Sequence, residues 1–413
     1  EEERLQGDVL ERFLRHEKPS MIAVHGQPGV GKSSLIQNLN RSVRSRALFI
    51  QGKSDQHQLE LPYAPIVQAL CTFIDEAMRT DHQTQASLRK ALARELQGSA
   101  SLLVDLLPAM EVLTGPQPVP SEVPGPLVKV RLHRALRSVL SVAAATLSPV
   151  ILFLDDLQWA DEATRSFLSV LTSEPVSGLL LVVARRDQSG EAQILTDRLL
   201  ADARTSMEEV AEIHLRPLSL QSTRLMLEAI FTDAPKGLMD LADTLQEKTG
   251  GNPFYLRRLL QALVQDGAIY YSPVEQAWTC RVQDVARYPA SESIVSFVTA
   301  RLEKEGPEAL LLLQTMACIG PEADRVVIAS ALSVSEEHLL QLAAPLVRSG
   351  FVLLSPAKIS FAHDRIQEAA YSLMDDATKR ERHLHLADVM MALWDSGTNA
   401  PAFAIANQIE QCR

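Results

Sequence analysis

The sequence is poor in several things, and each shortage removes a class of function. Only four of its 413 residues are cysteine, and Cys71, Cys280, Cys318 and Cys412 stand far apart, with no metal-ligand spacing. That pattern excludes a disulfide scaffold or a cysteine-rich zinc module and leads us to expect a reduced, cytoplasmic setting. Positive charge is in deficit, with 40 Lys and Arg against 51 Asp and Glu, a net charge of −11. Affinity for nucleic acid built on phosphate neutralisation is not expected of such a chain. No apolar run approaches the roughly 18–20 residues that cross a bilayer, and no leader-like segment opens the sequence, so no membrane partner is expected. What remains is ordinary globular material, 46% hydrophobic and 22% charged. It suffices for two to four domains of about 100–200 residues, each with a core.

One stretch organises the rest: Gly26-Gln27-Pro28-Gly29-Val30-Gly31-Lys32-Ser33. The apolar run Met21-Ile22-Ala23-Val24 precedes it, and Ser34-Leu35-Ile36-Gln37-Asn38-Leu39 follows as the opening of a helix. Strand, glycine-rich turn, helix is the context that a phosphate-binding loop requires. Polyphosphate carries several negative charges, so its site needs backbone N–H groups converging on one point. Glycines at 26, 29 and 31 permit the positive φ angles and close approach that shape such a nest. The new helix adds its unpaired N–H groups and positive dipole end. Gly26, Gln27, Pro28, Gly29, Val30, Gly31, Lys32, Ser33 and Ser34 are therefore the candidates for nucleotide contact. Lys32 reaches the β- and γ-phosphates in this reading, and Ser33 offers its hydroxyl to Mg²⁺.

Further continuous apolar runs read as strands buried on both faces: Ala47–Gln51, Val150–Leu154, Leu179–Ala184 and, shorter, Ala211–Leu215. With the run at 21–24 they alternate with helical patterns, which predicts a parallel α/β sheet. Ligands of such sheets bind at the carboxyl ends of the strands, where Gly26, Asp155 and Arg185 fall. Five prolines between residues 115 and 126 mark a loop. Beyond Pro217 the strand pattern stops. Three helical segments are expected over 219–268 and four over 291–349, followed by a hairpin of Phe351–Leu354 and Ile359–Phe361. Helices closed by a hairpin suggest a winged helix. The charged start Glu1-Glu2-Glu3-Arg4 runs into a helical pattern, and the last residues open another helix, so a continuation at both ends is expected.

Asp155-Asp156 closes the third strand. One carboxylate is needed to hold Mg²⁺ and a second to orient or deprotonate the attacking water. We assign Asp155 to the metal and Asp156 to the water; capping the next helix is the plainer role, for which Asp161 serves equally well. Arg185 and Arg186 end the fourth strand, where an arginine can sense or stabilise the γ-phosphate. Arg185 is the choice by position. His363-Asp364 opens a helix, with Asp364 as its expected N-cap.

These residues resemble the STAND class of signal-transduction P-loop NTPases, over nearly the whole chain. The resemblance is to the ATPase module found in large sensor kinases, serine/threonine kinases and transcriptional regulators. Beyond the phosphate loop it rests on Gly52–Gln56, Leu61–Pro65, Phe153–Asp161, Leu215–Ser219, Gly250–Phe254 and Phe361–Arg365. It implies an α/β P-loop domain over 1–216, an all-helical lid over 217–288, a winged helix over 289–375 and the start of a helical region over 376–413. It further implies that these close around ADP, that exchange opens them and that hydrolysis resets the switch. Pro253 would then lie near adenine and ribose, and His363 would touch the β-phosphate. ATP or ADP with Mg²⁺ are the implied ligands; fused or associated sensor and effector domains are the implied partners, and a nucleotide-dependent oligomer is compatible with it. The alternatives are an oligomeric AAA+ motor and a DNA-binding winged-helix ATPase regulator. Against the latter, the candidate recognition helix Ser335–Arg348 carries Glu336 and Glu337 and one arginine.

Overall fold

Strands covered on both faces need apolar residues at every position, and the runs above become one parallel sheet. The computed structural model describes residues 2–43, 46–54, 62–117, 125–187, 191–231, 238–273, 276–281, 285, 294–396 and 402–412. The chain divides into two compact units, residues 1–216 and 217–413.

In the first unit, β1 (Ser20–Gly26), β2 (Leu48–Lys53), β3 (Val150–Asp155), β4 (Leu179–Arg186) and β5 (Glu209–Leu215) lie in the order β2-β3-β4-β1-β5. All four pairings are parallel. β1 and β3 are buried throughout, whereas the edge strands β2 and β5 are only partly covered. Helices α1 (Glu2–His16) and α2 (Lys32–Val43) cover one face, where Phe13, Leu35 and Ile36 pack on Ile22, Val24, Phe153 and Val182. The other face is covered by α3 (Ala64–Met78), α4 (His82–Leu96), α5 (Ala100–Leu106), α6 (Glu111–Thr114), α7 (Gly125–Thr146), α8 (Glu162–Ser173) and α9 (Glu191–Ser206). There Phe73, Leu88, Val139 and Phe167 pack on Met21, Leu152 and Leu181. The chain leaves β1 for β2 on one side and later returns to β5 on the other. The strand order thus reverses at β1, and the crevice at its carboxyl end is where an open α/β sheet takes ligands.

Two of the sequence blocks named above, those containing Gly52 and Pro65, meet where β2 runs under α3. A Cβ built on Gly52 would stand 1.8 Å from the carbonyl oxygen of Pro65. Backbone meets backbone, so no rotamer change relieves the clash. Gly52→Ala is expected to cost about 1–3 kcal/mol or more through overpacking. At roughly 2–4 °C per kcal/mol, thermal unfolding should show a midpoint lowered by several degrees. An unchanged midpoint would mean that β2 and α3 do not pack this closely.

The second unit opens with α10 (Leu220–Ile230), α11 (Leu238–Thr249) and α12 (Pro253–Gln265). The expectation of an all-helical segment over 217–288 is corrected here: β6 (Ile269–Ser272) and β7 (Ala277–Cys280) form an antiparallel hairpin. Tyr270, Tyr271, Trp278 and Thr279 are β-favouring residues, but neither strand carries a continuous apolar run such as Phe351–Leu354 offers. Helices Ile294–Leu302, Pro307–Ile319, Arg325–Leu332 and Glu336–Arg348 follow. With them goes a small antiparallel sheet of β8 (Glu322–Asp324), β9 (Val352–Leu354) and β10 (Lys358–Phe361), in the order β8-β10-β9. Three more helices, Asp364–Ser372, Asp376–Asp395 and Ala402–Glu410, complete it. Among the described residues no single helix is long and apolar enough to cross a membrane.

Candidate nucleotide site

The phosphate loop bends because its glycines allow it to. Gly29 and Gly31 have φ of 81° and 108°. Gly26 has no room for a side chain, since a Cβ there would lie 2.8 Å from the Leu215 carbonyl oxygen and from Cγ1 of Val30. The Val30 N–H closes the turn on the Gln27 carbonyl at 3.3 Å, and the Leu35 N–H bonds to Gly31 O at 2.9 Å. The N–H groups of Lys32, Ser33 and Ser34 fall in the first turn of α2, which lacks intrahelical partners. Ser33 and Ser34 are exposed there.

Lys32 is buried, with its ammonium donating to the carbonyls of Gly26 at 2.8 Å and Gln27 at 3.1 Å. Burial pushes its pKa down, while the charges of Asp156 and Asp155 pull it back up. The two carbonyls orient the ammonium without neutralising its charge. The Ser33 hydroxyl donates to Oδ2 of Asp155 at 2.9 Å. Hydroxyl and carboxylate are hard oxygen donors side by side, the ligand chemistry that suits Mg²⁺. Asp155 is itself fixed by the Asp156 N–H, which donates to its Oδ1 at 2.9 Å.

Asp156 turns the chain with φ of 53°, in the left-handed region. Its carboxylate is met by Lys53 at 3.5 Å, by Nε of Arg186 at 3.4 Å and by the Gln158 amide at 2.6 Å. The same Gln158 accepts the Arg186 N–H through Oε1 at 3.1 Å, tying the ends of β3 and β4 together. The helix-capping role belongs to Asp161, whose side chain accepts the Thr164 N–H at 2.9 Å. Asp161 also accepts the Tyr63 N–H at 3.1 Å, which joins the Leu61–Pro65 block to the Phe153–Asp161 block.

The two arginines part company. Residues alternate in direction along a strand. Arg186 falls opposite Gly26 in the register, ion-pairs with Asp156 and bears on the titration of Lys32. Arg185 falls opposite His25, and its guanidinium is one of the charges that depress the His25 pKa. Sequence position favoured Arg185; the geometry brings Arg186 to the phosphate loop. Lys53, Gln158 and Arg186 are polar residues of this cluster that sequence reading did not assign. Their common signal is a place at, or just after, the carboxyl end of a strand.

In the second unit, Gly251 presses on the Leu218 carbonyl: a Cβ would stand 2.1 Å from that oxygen. Leu218 N–H donates to Gly251 O at 2.8 Å, so the Leu215–Ser219 and Gly250–Phe254 blocks interlock. Asn252 caps α12 by accepting the Tyr255 N–H, with Pro253 at the first helical position. The rings of Phe254 and His363 meet at a tilt of 32° with centroids 4.0 Å apart, which brings in the Phe361–Arg365 block. The N-cap of the helix Asp364–Ser372 is His363 rather than Asp364: its Nδ1 accepts the Arg365 N–H at 3.1 Å. An accepting Nδ1 leaves the ring hydrogen of the neutral imidazole on Nε2, so the histidine is set up as a donor.

Residues 2–183 match the family model of the AAA ATPase domain. Hybrid signal transduction histidine kinase G of Dictyostelium discoideum is 20% identical over 474 residues, covering 89% of this chain and 14% of that protein. Peroxide stress-activated histidine kinase mak3 of Schizosaccharomyces pombe is 20% identical over 430 residues, covering 90% and 18%. Among solved structures, the Signal Transduction ATPase with Numerous Domains (STAND) protein with a tetratricopeptide repeat sensor from Pyrococcus horikoshii superposes with a TM-score of 0.53. That likeness, at 11% identity, is one of fold and covers 97% of this chain and 47% of the other. The chain therefore spans less than half the length of each of these proteins.

Proposed function

We propose that this chain, an AAA-type P-loop ATPase with the fold of a STAND protein, is an ATP- and ADP-binding regulatory switch. It hydrolyses ATP slowly and governs an attached or associated signalling output. The carrying observation is the contact of Ser33 with Asp155 at 2.9 Å beside the buried Lys32. Lys32 binds the β- and γ-phosphates, and the loop N–H groups from Gly29 to Ser34 enclose them. Ser33 and Asp155 hold Mg²⁺, which supplies charge against the phosphates when bound. Asp156 orients the attacking water. Arg186, rather than Arg185, faces the γ-phosphate in this proposal, because it lies on the Asp156 side of the loop. The kinase names of the relatives support a signalling output, and the helices and small sheet of the second unit support a lid followed by a winged helix.

The test is the nucleotide carried through purification and its fate. Tightly held ADP, with release slower than single-turnover hydrolysis, is expected of a switch. Fast multiple turnover in a ring-shaped oligomer would replace the switch with a motor.

His363 belongs to the same proposal as a donor to the β-phosphate of ADP. A hydrogen bond to a charged group contributes about 1.5–3 kcal/mol. Its loss should shift the closed–open balance about ten- to a hundred-fold. His363→Ala is expected to release ADP faster by that factor in stopped flow, with ATP affinity much less affected. An unchanged off-rate would leave His363 as a helix cap and ring partner of Phe254 alone.

A further inference from the structure

A second cluster of donors lies on the sheet face opposite α2. His25 and His214 are register partners on β1 and β5, and Glu212 is two residues before His214, so all three side chains leave the same face. His25 Nε2 is 3.1 Å, and His214 Nε2 3.3 Å, from the same oxygen, Oε1 of Glu212. The two imidazoles stack with centroids 4.8 Å apart. His25 is 0% exposed, and neither of its ring nitrogens makes a hydrogen bond. Its approach to Glu212 is close but too poorly aligned to be one. A buried polar group left so is costly and calls for an explanation, an ion among them.

The spacing supplies that explanation. Two donor atoms about 2.1 Å from one ion stand about 3.0 Å apart at a right angle and about 3.4 Å apart at the tetrahedral angle. Both Nε2–Oε1 separations fall inside that interval. We propose that His25, Glu212 and His214 form a binding site for a first-row divalent transition metal, separate from the Mg²⁺ ligands of the phosphate loop. Two imidazoles and one carboxylate select zinc, cobalt, nickel or ferrous iron over magnesium and calcium. The charges of Arg185 and Lys32 also bear on His25. Arg204 lies 3.3 Å from the other oxygen of Glu212 and orients the carboxylate from outside. Arg185 and Lys32 oppose an added positive charge, which moderates the affinity without removing the donors.

Position gives the site a consequence. His25 is the residue before Gly26, and β5 is the edge strand held to β1 at that point. A metal here clamps β5 to the root of the phosphate loop, so metal and nucleotide affinities become linked.

The experiment titrates Co²⁺ into tag-free, nucleotide-free protein with Mg²⁺ in excess, following ligand-field absorption, and measures bound Zn²⁺ after gel filtration. One equivalent is expected, with affinity falling at least about tenfold in His214→Ala and in Glu212→Gln. Zn²⁺ should raise the thermal midpoint of the parent chain but not of the double variant. His214 is exposed, so both variants keep the buried His25; His214→Ala removes the ring stacked on it, whereas Glu212→Gln keeps that ring and separates a lost donor from lost packing. Equal binding by parent and double variant, or no stoichiometric binding, would overturn the site.

Discussion

ATP affinity is expected to fall about 30- to several-thousand-fold in Lys32→Ala. Lys32 carries the charge of the phosphate loop and is only 7% exposed. Its pKa is depressed by burial, so water does little to stabilise the ammonium, and an anion at the loop gains correspondingly more from it. Truncating one partner of a desolvated charge pair costs about 2–5 kcal/mol, and each 1.4 kcal/mol is a factor of ten. The same change removes the bonds from Lys32 to the carbonyls of Gly26 and Gln27, so thermal unfolding should be followed beside calorimetry. A folded variant that binds ATP as the parent does would place the nucleotide elsewhere.

Much of the first unit is legible in the sequence, and the reason is local. Continuous apolar runs identify buried strands, and the turn chemistry of Gly26 to Ser33 depends on neighbours in sequence. The division between Arg216 and Pro217 coincides with the end of the strand pattern. What sequence could not supply was the order of the strands, because adjacency of β1, β4 and β5 is set by crossover connections. Two consequences follow from that order alone. Arg185 and Arg186 are neighbours in the chain, yet alternation sends one toward His25 and the other toward Asp156. His25 and His214 each read as an isolated histidine until β5 pairs with β1. The His363 cap escaped notice for a different reason: aspartate is the favoured cap by chemistry, but the chain enters the helix one residue earlier, with φ of −166° at His363. The hairpin β6–β7 is not legible because polar and aromatic residues break up its strands, with no continuous apolar run such as Phe351–Leu354 offers.

Asp156→Asn is expected to leave ATP affinity within a few-fold and to slow hydrolysis about 10²-fold or more, since general-base catalysis contributes about 10²–10⁴-fold. Asp155 and Asp156 share one strand end but not one task. Asp155 is engaged by Ser33, which sets two hard oxygen donors side by side, and its second oxygen takes the Asp156 N–H. Asp156 points elsewhere, to Lys53, Arg186 and Gln158, at the ends of β2 and β4 and in the turn after β3. Asparagine keeps the shape and an acceptor for Gln158, so the turn should survive. It loses the negative charge that can orient or deprotonate water, and that loss is felt in the chemical step rather than in binding. The measurement is single-turnover hydrolysis in saturating ATP and Mg²⁺, with ATP affinity determined on the same preparation. Asp155→Asn is the companion variant, in which Mg²⁺-dependent binding should weaken as well. Lys53 and Arg186 partly neutralise Asp156, which tempers its basicity and places the expected effect toward the lower end of the range. Hydrolysis at the parent rate would take Asp156 out of catalysis and leave it as the anchor that gathers the carboxyl ends of β2 and β4 beside the phosphate loop.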